Sequence, residues 1–202
     1  MQIEISKIPV TEAYQWMVSL VSPRPIAWVT TLSATGVVNL APFSFFNVFG
    51  ANPPVVVFSP TLKRDSTKKD TLINIEHHGE FVIHASTQRD VDAINASSAS
   101  LAPDLSEVEY VGKKTLPSVL VKVPRLVDAP FALECKLRQI VPVGNGPISA
   151  NLIIGDVVMM HIDPAILGKD GKVDPRLLRS VARLGGEHWC HSTDLFQMER
   201  PS

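Results

Sequence analysis

Four cations, Lys63, Arg64, Lys68 and Lys69, crowd the stretch Ser59 to Asn74, SPTLKRDSTKKDTLIN. Hydroxyls at Ser66, Thr67 and Thr71 are interleaved with them, directly ahead of a helical pattern carrying Leu72 and Ile75. A phosphate dianion is held best by cations, hydroxyls and the free N–H groups of a helix start, and this loop supplies all three. The same stretch also fits a solvated basic loop in which Thr67 or Asp70 caps the helix. A second stretch, APFSFFN from Ala41 to Asn47, mixes aromatic rings with Ser44 and Asn47. A planar cofactor needs such a surface, apolar where the ring lies and hydrogen-bonding at its polar edge. Phe45, Phe46 and Phe49 would equally fill a core.

Other chemistry finds less support. Gly36, Gly50 and Gly79 are isolated, so neither a Walker loop nor a dinucleotide fingerprint is present. His188, Cys190 and His191 supply three metal ligands where structural zinc takes four, and no metal is expected. Cys135 and Cys190 are too far apart for a CxxC redox pair. His77 and His78 suit a helix C-terminus, where positive charge meets the dipole.

The elements that must position these residues are mostly short strands. Apolar, β-branched runs recur at Ile26–Thr31, Val55–Phe58, Phe81–Ala85, Phe131–Val141 and Leu152–Ile162. The first is expected to turn near Ala34-Thr35-Gly36 and return along Val37–Leu40 as a hairpin. Alternation from Phe131 sends Leu133, Cys135 and Leu137 one way and Glu134, Lys136 and Arg138 the other, which makes Cys135 a core residue. Helical spacing marks Thr11–Val21, Thr71–His77 and Pro175–Leu184, the last ending at Gly185-Gly186 with Arg176, Arg179 and Arg183 along one face. Many strands and few helices predict an antiparallel barrel with peripheral helices, although periodicity alone also allows a sandwich.

Bulk properties set the limits. The chain has 202 residues, 45% apolar and 19% charged, which suits one globular domain. Its formal net charge of −1 recruits no nucleic acid. No secretory pattern opens the sequence and no apolar run approaches the ~20 residues of a membrane helix, so a cytoplasmic location is expected. Two unpaired-looking cysteines agree with a reducing compartment.

In order and approximate spacing, SPRPIAWVTT, NLAPFSFFN, NPPVVVFS, KDTLINI, EFVIH and LIIGDVV resemble the flavin reductase-like, FMN-binding split-barrel family. The likeness covers roughly Val21 to Ile162, with a tail signature at Arg183-Leu184-Gly185-Gly186. It implies a single mainly β domain, an antiparallel, Greek-key split β-barrel with peripheral α-helices, with its core at 21–162 and an extension at 163–202. It further implies FMN near the interface of a homodimer, and NADH or NADPH as electron donor. The acceptor would be a small molecule, a partner monooxygenase or another redox protein. An electron carrier without nicotinamide activity and a dimer that has lost its flavin are the alternatives. Since a flavin does its own redox chemistry, no acid, base or nucleophile set is required.

Carried over residue by residue, the likeness puts Arg24, Thr30 and Thr31 near the flavin's polar tail or ring edge. Ser44, Phe45 and Asn47 would line the ring. Ser59, Arg64, Lys69 and Thr71 would surround the phosphate, with Asp70 as a cap, and Arg183 would lie close to the cofactor. Thr30 and Thr31 are also ordinary strand formers, and Trp28 suits a core or interface. Trp189 stands where the family often has tyrosine.

Overall fold

The computed structural model describes residues 1–201. In chain order its elements are α1 (Val10–Leu20), β1 (Arg24–Pro25), β2 (Ala27–Leu32), β3 (Val38–Phe43), β4 (Phe46–Ala51), β5 (Pro54–Phe58), α2 (Asp70–His78) and β6 (Glu80–His84). There follow α3 (Val91–Ala96), α4 (Glu107–Tyr110), β7 (Thr115–Leu116), β8 (Arg125–Leu126), β9 (Phe131–Val143) and β10 (Ala150–Ile162). The chain closes with α5 (Pro175–Leu178), β11 (Val181–Arg183) and β12 (Trp189–His191).

Seven strands form one antiparallel sheet in the order β3-β2-β6-β9-β10-β5-β4. Its two edge strands, β3 and β4, are consecutive in the chain and joined only by Ser44 and Phe45. Laid flat, seven strands at roughly 4.8 Å spacing would hold those edges nearly 30 Å apart. Three peptide steps reach at most about 11 Å. The sheet therefore curls until its edges almost meet, leaving a seam at Ser44–Phe45. This is the split barrel.

Inside the barrel, Ala27, Val29, Phe43, Val56, Phe58, Phe81, Ile83, Cys135 and Ile153 pack with Leu72 and Ile75 of α2. Gly155 is required there: a Cβ would run into the ring of Phe81. Burial pushes the Cys135 thiol pKa up, consistent with an inert core residue. The outer face of β2 and β3 is covered as well, with Ile26, Trp28 and Leu40 packing against Ile94, Val108, Leu126 and Val181. Strand β2 is thus buried on both faces, which is why its sequence lacks a polar alternate.

The hairpin β2–β3, the five strand runs and the helices at both ends of the seam follow the sequence pattern. The tail does not. A helix over Pro175–Leu184 is expected, but α5 stops at Leu178 because Arg179 turns left-handed at φ 51°. Val181–Arg183 then form β11, pairing with β1 on one side and β12 on the other. Arg176, Arg179 and Arg183 consequently share no helix face. The outer face around Glu134 also departs from a solvated side. Its wholly buried carboxylate accepts the backbone N–H groups of Val119 and Leu120 at 2.7 and 2.6 Å. Those bonds pin a loop across the sheet.

Candidate functional site

A groove runs along the seam as four adjoining cavities. At one end a cavity of about 100 Å³ lies among Lys63, Lys69, Thr71, Asn39, Glu107 and the Ser97–Leu101 segment. Next to it, about 150 Å³ is bounded by Tyr14, Ser44, Phe45, Ser59, Thr61 and Lys69. A third, of about 180 Å³, extends past Pro42 and Ser44 to Asn95, Arg183 and Trp189. The last, of about 410 Å³, opens outward between Val91, Asp92, Asn95, Glu187 and the same Arg183–Trp189 wall. A separate cavity of about 380 Å³ near Thr87 and Leu177 has its arginines occupied. Arg89 is held by Asp90 and Asp128, and Arg179 by Gln88.

The cations of the basic loop do not behave alike. Lys68 is spent on Glu76 at 2.8 Å, and Arg64 points outward, exposed. Lys63 and Lys69 line the groove, and neither forms an ion pair among the described residues. Burial, and then the charge of Lys63, hold the Lys69 pKa below the ordinary lysine value. Asp70 offsets part of this, and two cations free of ion pairs on one cavity wall make an anion receptor. The loop is fixed locally: the backbone N–H of Lys63 donates to the Thr67 carbonyl at 2.8 Å, and Asp65 accepts from the Thr67 amide and hydroxyl. Neither Thr67 nor Asp70 caps α2. Lys69 occupies the N-cap position with no side-chain bond, and Asp70 is the first helical residue.

Beneath this end lies a closed polar network. Asn39 Oδ1 accepts the hydroxyls of Thr71 at 2.8 Å and Thr31 at 3.1 Å. Its Nδ2 donates to Glu107 at 2.8 Å, and Asn74 donates to Thr31 at 3.0 Å. These bonds lock α2 and α4 onto strand β3. Midway along the groove, the buried Ser59 Oγ has no hydrogen-bond partner at all. A buried hydroxyl left unpaired costs roughly 1–3 kcal/mol unless something supplies its bond. Phe45, 37% exposed, stands edge-on to Tyr14 with ring centres 6.4 Å apart.

Comparison with known proteins agrees with this geometry. The family model described as "Flavin reductase like domain" matches residues 19–175. The chain belongs to the flavin reductase-like family. Among solved structures it is similar to nitrilotriacetate monooxygenase component B from Bacillus cereus, at 32% identity and TM-score 0.92 over 98% of each chain. It is also similar to 2-nitrobenzoate 2-nitroreductase of Pseudomonas fluorescens, at 32% identity and TM-score 0.88 over 100% of this chain and 97% of that one. A putative flavin reductase with a split barrel domain from Shewanella frigidimarina shares the fold at 21% identity, with TM-score 0.84 over 100% of each chain. Membership of the flavin reductase-like family makes the protein a flavin-related oxidoreductase.

Within this family member the residues named from sequence separate into two sets. Ser44, Phe45, Ser59, Lys69 and Thr71 come together at the seam, and Arg183 lines its outer half. Arg24, Thr30 and Thr31 are interior instead. Arg24 is 7% exposed and donates to the carbonyls of Val18, Val21 and Leu184, and at 3.5 Å to Ser44 Oγ. Thr30 and Thr31 are wholly buried on opposite faces of β2; Thr30 bonds the Pro124 carbonyl. None of the three presents a free donor to the groove. Asn47 sits on edge strand β4 with Oδ1 taken by the Val48 amide, and Arg64 faces solvent; neither lines a groove cavity. Tyr14, Asn95, the Ser97–Leu101 segment and Glu107 line the groove although spacing did not bring them forward, and Lys63 and Trp189, noted in the sequence without a place in the site, line it too.

Proposed function

We propose that the protein binds FMN in the seam groove and works as a cytoplasmic flavin reductase, taking electrons from NADH or NADPH and delivering them to a second acceptor. One observation carries this reading: an orphaned Ser59 hydroxyl and two unpaired lysines face a single groove. Lys63, Lys69 and the uncapped start of α2 would hold the phosphate. Ser59 and Ser44 would bond the polar groups of the cofactor, and the Pro42–Phe45 segment would give its ring an apolar wall. The flavin, when bound, supplies the redox chemistry of electron transfer, so the chain need only bind, orient and shield. Thr71, Asn39 and Glu107 keep the phosphate end rigid.

The acceptor stands open between a small molecule and a partner protein. The similarity to a monooxygenase component favours a partner oxygenase, and the similarity to a nitroreductase favours a small aromatic. The acting form is proposed to be a homodimer. Val48 and Phe49 of edge strand β4 are 66% and 75% exposed, and Met17 and Leu20 of α1 are exposed as well. An unpaired, apolar sheet edge is a surface that a second copy would cover. Cytoplasmic residence is supported by the two free cysteines.

The test is direct. Titration with FMN is expected to give a saturable 1:1 complex with a perturbed flavin spectrum. Anaerobic addition of NADH or NADPH is then expected to bleach it. A folded protein that takes up no FMN overturns the reading, whereas a bound flavin that stays yellow with both donors reassigns the protein as an electron carrier.

A further inference from the structure

Arg183 lines neither of the two cavities that Lys69 lines, so it stands apart from the proposed phosphate end. Its cross-strand partner in the β11–β12 ladder is Trp189, and its guanidinium lies over the indole, 5.0 Å from the ring centre. One of its five N–H donors is used, by the Gly186 carbonyl at 2.7 Å. Asp92 and Glu187 line the same outer cavity, yet neither pairs with it; Arg183 has no ion-pair partner among the described residues. A planar cation is therefore held flat by an aromatic face and a single carbonyl, free of any ion pair among the described residues, on a wall shared by cavities of about 180 and 410 Å³.

Resting on the reading of the lysine-bearing end as the phosphate end, we propose that the Arg183–Trp189 wall is the binding subsite of a second ligand, a planar aromatic acid carrying one carboxylate. The guanidinium fork matches a carboxylate bidentately, and a lysine there would not. The indole, Val91 and Ile94 offer apolar area to a ring. Asp92 and Glu187 are exposed at the rim, where they oppose a second negative charge. One cation and two rim carboxylates admit a monoanion and disfavour a polyanion.

Calorimetric titration with benzoate as the probe tests this, run alongside separate FMN titrations. Benzoate is expected to bind saturably, benzamide about tenfold or more weakly, since a lost charge-assisted pair is worth about that factor, and phthalate more weakly too, because its second charge meets Asp92 and Glu187. Arg183→Gln should weaken benzoate by roughly ten- to a hundredfold and weaken FMN far less than Lys69→Ala does. The double variant Asp92→Asn/Glu187→Gln should retain benzoate and raise phthalate affinity towards it. Equal binding of benzoate and benzamide, or no benzoate binding by the native chain, overturns the subsite. So does an Arg183→Gln variant that loses FMN as strongly as Lys69→Ala. A native chain that ignores FMN but binds benzoate through Arg183 upholds the subsite while ending the flavin reading.

Discussion

Arg24 and Arg183 are direct partners across the β1–β11 ladder, yet their surroundings differ throughout. Arg24 is enclosed, and its guanidinium ties the end of α1, the Leu184 carbonyl and Ser44 into one knot. Its pKa is held below the usual arginine value, first by burial; Tyr14 works the other way, and the charge of Arg183 lowers it further. Arg183 has most of its donors open and no ion-pair partner among the described residues. The same split divides the basic end, where Thr71 is absorbed by Asn39 and Lys69 is not. Around a seam, groups with completed bonds shape the wall, and groups with open bonds meet the ligand. Resemblance to a family names both kinds without telling them apart.

Breaking the knot should give the largest effect. Arg24→Ala leaves enclosed carbonyls without donors and is expected to cost about 3 kcal/mol of unfolding free energy in urea melts. Arg24→Lys should recover only part of it. If stability holds and FMN affinity falls instead, Arg24 belongs with Lys69.

A pH ramp comes next. Wholly buried His84 is bonded on both sides, to the Trp28 carbonyl and the Leu126 amide, each at 3.0 Å. The backbone N–H of Leu126 needs an acceptor, so Nε2 is unprotonated and Nδ1 donates to Trp28. Burial lowers its pKa to about 4. The unfolded chain, near pKa 6.5, then binds the proton that the folded chain refuses. Stability is full above that value and declines as pH falls towards 4, by roughly 2–4 kcal/mol in all. His84→Gln, which cannot charge, should flatten that window in melts at graded pH.

Lys69→Ala is expected to weaken FMN by about ten- to a hundredfold in a fluorescence titration while leaving the melting temperature nearly unchanged. The smallest effect belongs to Lys68→Ala. That exposed lysine is paired with Glu76, and its loss should alter FMN affinity less than about twofold and stability by less than about 1 kcal/mol. A Lys68 effect as large as that of Lys69 would dissolve the distinction between spent and open cations.

What could be read before folding was whatever is local. The β2–β3 hairpin and the basic loop before α2 are short-range patterns, and both stand where spacing put them. The tail misled because Leu177, Leu178, Val181 and Leu184 keep helical spacing while Val181–Arg183 gain hydrogen bonds from β1, some 160 positions away. Gly185-Gly186 resembled a helix stop. In fact a Cβ at Gly185 would collide with Ser19, and Gly186 turns at φ 58°. Tyr14, Asn95 and Trp189 converge from three distant segments, and no window of sequence contains them together. Adjacent residues on a strand face opposite ways, so the side chains of Thr30 and Thr31 serve different surroundings, the Pro124 carbonyl and Asn39.

The two-residue join between β3 and β4 has one more implication. Since Ser44 and Phe45 both fasten the sheet's ends and line the passage between them, the bore of that passage is set by the length of a tether. Substitutions along it can repaint the lining but not widen the mouth. A single inserted glycine would add up to about 3.8 Å of slack. That is enough to loosen the gauge by which the chain sorts what enters.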